Sequence, residues 1–285
     1  MKESEVLVSV EGFAVSMTES RPYERTQWQT NQMDVSPLNA SNIEAYDGVD
    51  EEVLRAWDPV GDAGRKDLLN PTIFQMLGDI EDQLVLDAGC GQGYLSRLFA
   101  GKGAKVTGIE PSGRLLDYAI QSETNHPLGI TYLQRDLSRL GVLDEVTFDA
   151  VVANMVLLDI ADWKAAMTNC IAVLRPGGRF IFSLLHPCWP PEAGNTWGDH
   201  GRVEISEYLQ PYETPMEFGV NYHRPLSEYL NFALELGSVI VEIAEPALQR
   251  NESDAQSNDI RFHIPNYVVV CVSRGRDQPE GSLTT

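Results

Sequence analysis

The apolar positions of this chain change their period along its length. From Ser41 to Ile80 they recur at helical spacing. Val53, Leu54 and Trp57 sit at i, i+1 and i+4, and Leu68, Leu69, Ile73, Phe74 and Leu77 form a second stripe. Pro71 falls within that second stretch. Proline is tolerated in the first turn of a helix and disfavoured in its interior, so a helix is expected to start there. From residue 84 short apolar runs alternate with amphipathic stretches. The runs predict strands at Leu84–Asp87, Lys105–Glu110, Ile130–Arg135, Phe148–Ala153 and Arg179–Leu185. The stretches predict helices at Tyr94–Ala100, Gly113–Ser122 and Asp162–Leu174, the last closed by Arg-Pro-Gly-Gly. This alternation is the pattern of a mostly parallel sheet with helices on both faces.

Residues 186–222 break the rhythm with Pro187, Pro190, Pro191, Pro211 and Pro215. A stretch of about 35 residues without regular structure inside a compact domain is usually a functional lid or disordered. Trp189, Trp197, Tyr208 and Tyr212 within it favour a lid. A helix is expected from Pro225 to Leu236, with proline at its first position. Strands follow at Val239–Ala244 and Pro265–Arg274, and then a frayed tail. Residues 1–40 are polar and aperiodic: disordered, a helical arm, or an element exchanged between subunits.

Composition narrows the class. At 285 residues with 43% hydrophobic positions, the chain can bury a core without disulfide or metal staples. The 42 Asp and Glu against 21 Lys and Arg give a formal charge of -21, which repels a polyanion, and no basic patch offsets it. Nucleic acid is therefore not an expected partner. No uncharged run reaches the ~18 to 20 residues of a membrane span, so no membrane partner is expected either. The start, Met-Lys-Glu-Ser-Glu, has neither the basic opening nor the apolar core expected of a secretory signal. Cys90, Cys170, Cys188 and Cys271 form no CxxC and read as free thiols in a reducing cytoplasm.

The strongest chemical signal is Val85-Leu-Asp-Ala-Gly-Cys-Gly-Gln-Gly93. A buried strand runs into a turn with glycine at 89, 91 and 93, and a helix begins at once. Such glycines let backbone approach a ligand, and the helix start offers free N–H groups. Two ligand classes compete. A dinucleotide loop reads G-x-G-x-x-G, whereas here the spacing is G-x-G-x-G and Tyr94 takes the sixth position. Asp87, two residues before the first glycine, suits a ligand with a cationic head. S-adenosylmethionine carries an ammonium and a sulfonium and no pyrophosphate. Glu110 ends the second strand, where a carboxylate can accept both ribose hydroxyls in either class. Asp136 follows the third strand and can accept an adenine amino group.

Together with Gly-Ile-Glu-Pro-Ser, Arg-Asp-Leu, Phe-Asp-Ala-Val-Val-Ala-Asn and Leu-Arg-Pro-Gly-Gly-Arg-Phe, this loop makes residues 84–186 resemble the core of a class I S-adenosylmethionine-dependent methyltransferase, of the small-molecule type 11/25 group. The resemblance implies an α/β fold: a Rossmann-like seven-stranded mostly parallel sheet with helices on both faces, a helical N-terminal extension and a lid insertion after the fifth strand. It divides the chain into an N-terminal arm and helical cap (1–80), a cofactor core (81–186), an acceptor lid (187–224), the C-terminal part of the sheet (225–275) and a tail (276–285). It also implies cofactor-binding roles. Asp87, Gly89, Cys90 and Gly91 would surround the methionine part. Glu110 would hold the ribose, and Pro111 would lie beside the adenine. Asp136 with the Leu137 amide would read the adenine edge. Asn154 and Met155 would sit under the sulfonium end of the fourth strand. Arg65, in Gly61-Asp-Ala-Gly-Arg65-Lys, would pair with the methionine carboxylate, and Tyr46 would be a lid residue or touch substrate.

Methyl transfer is an in-line displacement in which alignment supplies much of the rate. A base is needed only if the acceptor keeps its proton until attack. His186, at the end of a central strand, and His223 are the expected catalytic residues. No metal constellation is visible, and Asp162 reads as a helix cap rather than a ligand. Asn154-Met-Val-Leu stands where the DNA-adenine and glutamine methyltransferases carry Asn-Pro-Pro-Tyr. The aromatic lid, with Trp189 and Tyr222 as substrate contacts, favours a small, largely apolar acceptor, aromatic or isoprenoid. The alternative is a protein that keeps the cofactor fold as a non-methylating cyclase or binding module. A 40-residue arm is long enough to join copies into a homo-oligomer.

Overall fold

The computed structural model describes residues 33–141, 143, 146–189, 201–203, 205–248 and 259–275. The expectations for 1–32, for residues 190–200 of the lid including Trp197, and for the tail lie outside the described residues.

Five strands supply the parallel part of the sheet: β1 (Leu84–Ala88), β2 (Lys105–Ile109), β3 (Thr131–Leu133), β4 (Phe148–Asn154) and β5 (Leu174–Leu185). A separate hairpin follows, β6 (Tyr212–Pro215) and β7 (Val220–His223), before β8 (Ser238–Ala244) and β9 (Tyr267–Arg274) complete the sheet. The seven-stranded order is β3-β2-β1-β4-β5-β9-β8, with β9 antiparallel to both neighbours. Central strands of a sheet covered on both faces read as continuous apolar runs, and Val268 to Val272 are all buried. Successive side chains leave on opposite faces. Leu86, Val151 and Phe180 enter one core, and Val85, Val152 and Ile181 the other.

The described helices are α1 (Ala40–Asp47), α2 (Glu51–Ala56), α3 (Asn70–Leu77), α4 (Tyr94–Ala100), α5 (Gly113–Asn125), α6 (Trp163–Ala172) and α7 (Leu226–Glu235). None is long and apolar enough to cross a membrane. The winding reverses direction between β1 and β4, because β2 and β3 extend one side of β1 while β4 and β5 extend the other. In an open α/β sheet that reversal leaves a crevice at the carboxyl ends of the strands.

Three expectations need correction and one needs refinement. Pro71 stands in the first turn of α3, where a helix start was expected, but a π-helical turn, Arg65–Leu69, runs into that start without a break. Proline lacks the N–H that an α register would demand, and the wider turn ahead of it removes the conflict. Strand β5 begins at Leu174 rather than Arg179, and its Arg-Pro-Gly-Gly segment is absorbed as a register irregularity opposite β4. Asp162 stands at the N-cap position of α6 without capping it; its Oδ2 accepts from Ser36 Oγ at 2.9 Å. The β6–β7 hairpin was not expected within 186–222. Its strands are short and half-exposed, so they carry no apolar alternation. Tyr212 stacks on His223 at 4.3 Å, and Asn42 of α1 bonds both the N–H and the carbonyl of Val220.

The turn after β1 shows two kinds of glycine. Gly91 (φ +55°) and Gly93 (φ +83°) are both left-handed. A Cβ on Gly93 would lie 2.4 Å from Tyr132 Oη, whereas one on Gly91 meets nothing nearer than Leu115 Cδ2 at 3.4 Å. Gly93→Ala should therefore lower unfolding stability by about 1–3 kcal/mol more than Gly91→Ala, the usual cost of overpacking. Equal midpoints in urea for the two variants would contradict this.

Candidate active site

The floor of the crevice is the glycine turn. Gly89 and Cys90 both donate their N–H to Ile109 O, at 2.8 and 2.9 Å, which locks the turn against β2. Glu110 follows Ile109 directly. Its Oε2 accepts from Gly91 N at 3.0 Å and its Oε1 from Ser112 N at 2.9 Å. Two neutral N–H groups thus aim one carboxylate into the crevice. Burial pushes Glu110 up to about 7, against the pull of those bonds, with Asp87 and Asp47 adding to the rise. Gln92 lies in the same turn. Its Nε2 is buried with no partner among the described residues.

A cavity of about 470 Å³ opens above this floor. It brings together Gly89, Cys90, Gly91, Glu110, Pro111, Asp136, Leu137, Asn154 and Met155 of the expected cofactor set, along with Arg65 and Tyr46. Asp87 is not on the wall. It is buried beneath the turn, where it accepts from Ser96 Oγ at 2.6 Å and ties α4 to β1; burial raises it to about 6.

The carboxyl end of β4 is held by a chain of side chains. Met155 N donates to Ser183 Oγ, which donates to Asn154 Oδ1. Asn154 Nδ2 donates to Tyr94 Oη at 2.8 Å, and Tyr94 donates to Asn70. Met155 has φ +60°, unusual for a side chain of its size. Such strain persists where its surroundings over-determine it, often at a functional site.

Two elements roof the cavity. Residues before α1 clasp Asp136, whose oxygens accept from Ser36 N at 2.8 Å, from Asn39 Nδ2 at 3.1 Å each, and from Ser138 N. The carboxylate expected to read an adenine edge is thus also the anchor of the chain's N-terminal approach. On the other side, Tyr46 Oη donates to Asp159 Oδ2 at 2.9 Å and Asn221 Nδ2 donates to Asp159 Oδ1. Arg65 projects into the cavity beside its partner Asp62.

The expected catalytic histidines lie elsewhere. His186 lines a smaller cavity of about 210 Å³ with Trp189, Tyr222 and His223. Its Nδ1 accepts from Cys188 N at 3.0 Å, so Nε2 carries the proton and faces Glu245 at 2.9 Å. Both nitrogens are engaged, and the ring caps the turn after β5. The physical reason is reach. Asn154 pairs with Ser183, so His186 lies three residues further along its strand, about 10 Å on. His223 Nε2 donates to Tyr208 O, and its ring stacks on Tyr212.

Sequence reasoning missed Ser36, Asn39, Asp159 and Asn221. Arg224 was also missed in its role as a staple. Its guanidinium donates to the carbonyls of Leu157 and Ile160 and fixes the turn that carries Asp159. Among the described residues, no cluster of three or more His, Cys, Asp or Glu could hold a metal.

The groups on the wall fit an adenosyl-methionyl ligand. The turn leaves space above Gly91, Glu110 offers a paired acceptor, and Gln92 presents an unpartnered amide. Comparison agrees. Residues 86–182 match the methyltransferase domain family. The ubiquinone biosynthesis O-methyltransferase of Alkalilimnicola ehrlichii is 35% identical over 141 residues, covering 48% of this chain and 57% of that protein. The chain therefore spans little more than half the length of the curated relative. An S-adenosylmethionine-dependent methyltransferase from Mesorhizobium loti superposes with a TM-score of 0.61 at 25% identity, over 72% of this chain and 96% of that one. The [4+2]-cyclase SpnF superposes at 0.59 with 17% identity, over 86% of this chain and 98% of its own, a likeness of fold.

The Asp136 clasp predicts a local effect. Asp136→Ala should speed amide exchange across residues 33–47, because bonds to a charged group contribute about 1.5–3 kcal/mol. The sheet should exchange as before. Unchanged protection of 33–47 in a folded variant would show that other contacts hold the segment.

Proposed function

We propose that this chain, built on a class I S-adenosylmethionine-dependent methyltransferase domain, transfers a methyl group from S-adenosylmethionine to a small, largely apolar acceptor. The reading is carried by Glu110, a buried carboxylate aimed into the cavity by Gly91 N and Ser112 N at the end of β2. In this reading its oxygens accept the ribose hydroxyls. Gln92 and Arg65 take the methionyl carboxylate, while Pro111 and Leu137 flank the adenine. Asn154 and Met155 stand at the reacting end. Bound there, the cofactor supplies an electrophilic methyl on sulfur. The protein supplies alignment and the exclusion of water, and alignment alone contributes roughly 7–11 kcal/mol in favourable cases.

Apolar groups support the acceptor class. Leu158, Ile160, Leu185, Met216 and Phe218 line the cavity together with the glycine turn. The smaller cavity shares Leu158, Leu185, Met216 and Asn221 with it, so the body of an extended acceptor would lie toward Trp189 and Tyr222. The name of the curated relatives favours an oxygen atom as the acceptor. The free cysteines fit a reducing compartment.

Calorimetry with S-adenosylhomocysteine tests the cofactor site. Glu110→Ala should weaken binding roughly 10- to 150-fold, the worth of a charged hydrogen bond. The ionised form of Glu110 is the better acceptor, so affinity in the native protein should fall as pH drops below about 7. An unchanged affinity in a folded Glu110→Ala variant would refute the assignment. Binding without any methyl release to acceptors would leave the cyclase-like alternative standing.

A further inference from the structure

The cavity wall carries several carboxylates, and most are committed. Glu110 is held by the glycine turn, Asp62 by Arg65, and Asp136 by Ser36 and Asn39, while Glu217 is exposed. Asp159 differs. It sits five residues beyond Asn154, on the turn that follows β4, against Leu158 and Ile160. Its donors are neutral: Tyr46 Oη on one oxygen and Asn221 Nδ2 on the other. Among the described residues no ion pair reaches it. Each carboxylate oxygen has two lone pairs, so one more donor can be accepted.

The turn is also fixed from below and above. Arg224 holds the carbonyls of Leu157 and Ile160, and Asn42 Nδ2 donates to Asp159 O at 2.7 Å. Asp159 is thus a firmly held carboxylate on the cavity wall between Leu158 and Ile160, with no ion pair among the described residues to explain it.

We infer that Asp159 is the catalytic base for a hydroxyl-bearing acceptor, with Tyr46 and Asn221 as positioning residues; this rests on the methyltransferase reading above. In the step, the acceptor O–H breaks and its electron pair stays on oxygen. That oxygen forms a bond to the sulfonium methyl carbon. The C–S bond breaks with its pair returning to sulfur, and the proton ends on Asp159. The product is a methyl ether with S-adenosylhomocysteine, and charge balances once Asp159 releases its proton to solvent.

The electrostatic surroundings agree. Burial raises Asp159 to about 7, against the hydrogen bonds of Tyr46 and Asn221 and the more distant pull of Arg65. A base with that value near neutral pH is suited to proton transfer. Burial and the neighbouring Asp159 push the Tyr46 phenol up, so it remains a donor. The other titratable groups that sense Asp159 are Tyr222 and Tyr229, both themselves raised by burial and partly restored by Arg224.

The test uses the full chain and two phenols, catechol and 4-nitrocatechol, the second already ionised near neutral pH. Carbon-13 NMR of aspartate-labelled, cofactor-free protein should show a carboxyl titrating near 7 that is lost in Asp159→Asn. Turnover on catechol should fall ~10²–10⁴-fold in that variant, with S-adenosylhomocysteine affinity nearly intact. Most of the deficit should vanish on 4-nitrocatechol. The native rate on catechol should climb with pH to about 7 and level off, and the variant should lack that limb. Should Asp159→Asn fail to fold, Tyr46→Phe should shift the carboxyl titration and slow catechol alone. Native-like turnover of Asp159→Asn on catechol, or a surviving titration near 7, overturns the inference. So does a native enzyme that methylates neither phenol. In that case, binding that still depends on Glu110 preserves the methyltransferase reading, and absent binding removes it as well.

Discussion

Carboxylates kept from water by neutral donors are the constraint on which the rest of this structure turns. Burying an ionised carboxylate without compensation is expensive, and a protein answers by raising its pKa or surrounding it with donors. Around one crevice both answers appear. Asp87, Glu110 and Asp159 are all raised by burial. Their partners are a serine hydroxyl, backbone amides, a phenol and a side-chain amide. The nearby cations are paired with other acids, Arg65 with Asp62 and Arg97 with Asp58, and Arg65 also reaches the cavity wall. The crevice therefore holds excess negative charge, which a ligand bearing an ammonium and a sulfonium relieves and a pyrophosphate would aggravate. The overall acidity of the chain contributes little to this preference, since exposed charge is screened within about 10 Å.

What could be read from the sequence follows the same logic of locality. The glycine turn is a backbone requirement: positive φ at Gly89, Gly91 and Gly93 leaves a direct mark in residue type. Glu110 and Asn154 were legible because strand ends are set by short apolar runs, and the switch between β1 and β4 puts those ends together. The sheet itself was legible from alternation, apart from the irregular start of β5.

Ser36 with Asp136, Asn42 with Val220 and Tyr46 with Asp159 are bonds between residues 97 to 178 positions apart, counting the Asn39 contact. No local pattern signals them. His186 shows the limit of a reading by strand position. Its place at a strand end was foreseen correctly, but a place along a strand does not fix where a side chain goes. Three residues beyond Ser183, it left the cofactor cavity and became the cap of a turn.

The same long-range bonds join the roof to the chemistry. Asn42 of α1 donates to the carbonyls of Val220 and Asp159, and it accepts from Val220 N. Tyr46, one helical turn further on, donates to the Asp159 carboxylate, and Asn221 of β7 donates to its other oxygen. Roof and base are therefore not independent parts. Any displacement of α1 that opens the cavity also removes the phenol from Asp159. Any displacement of the hairpin removes the amide. Loss of those donors would by itself raise the carboxyl further, since both bonds favour its ionised form, whereas entering water would return it toward an ordinary carboxylate. The arrangement thus fixes the carboxylate in position when the cavity is closed, the state in which water is excluded from the sulfonium methyl.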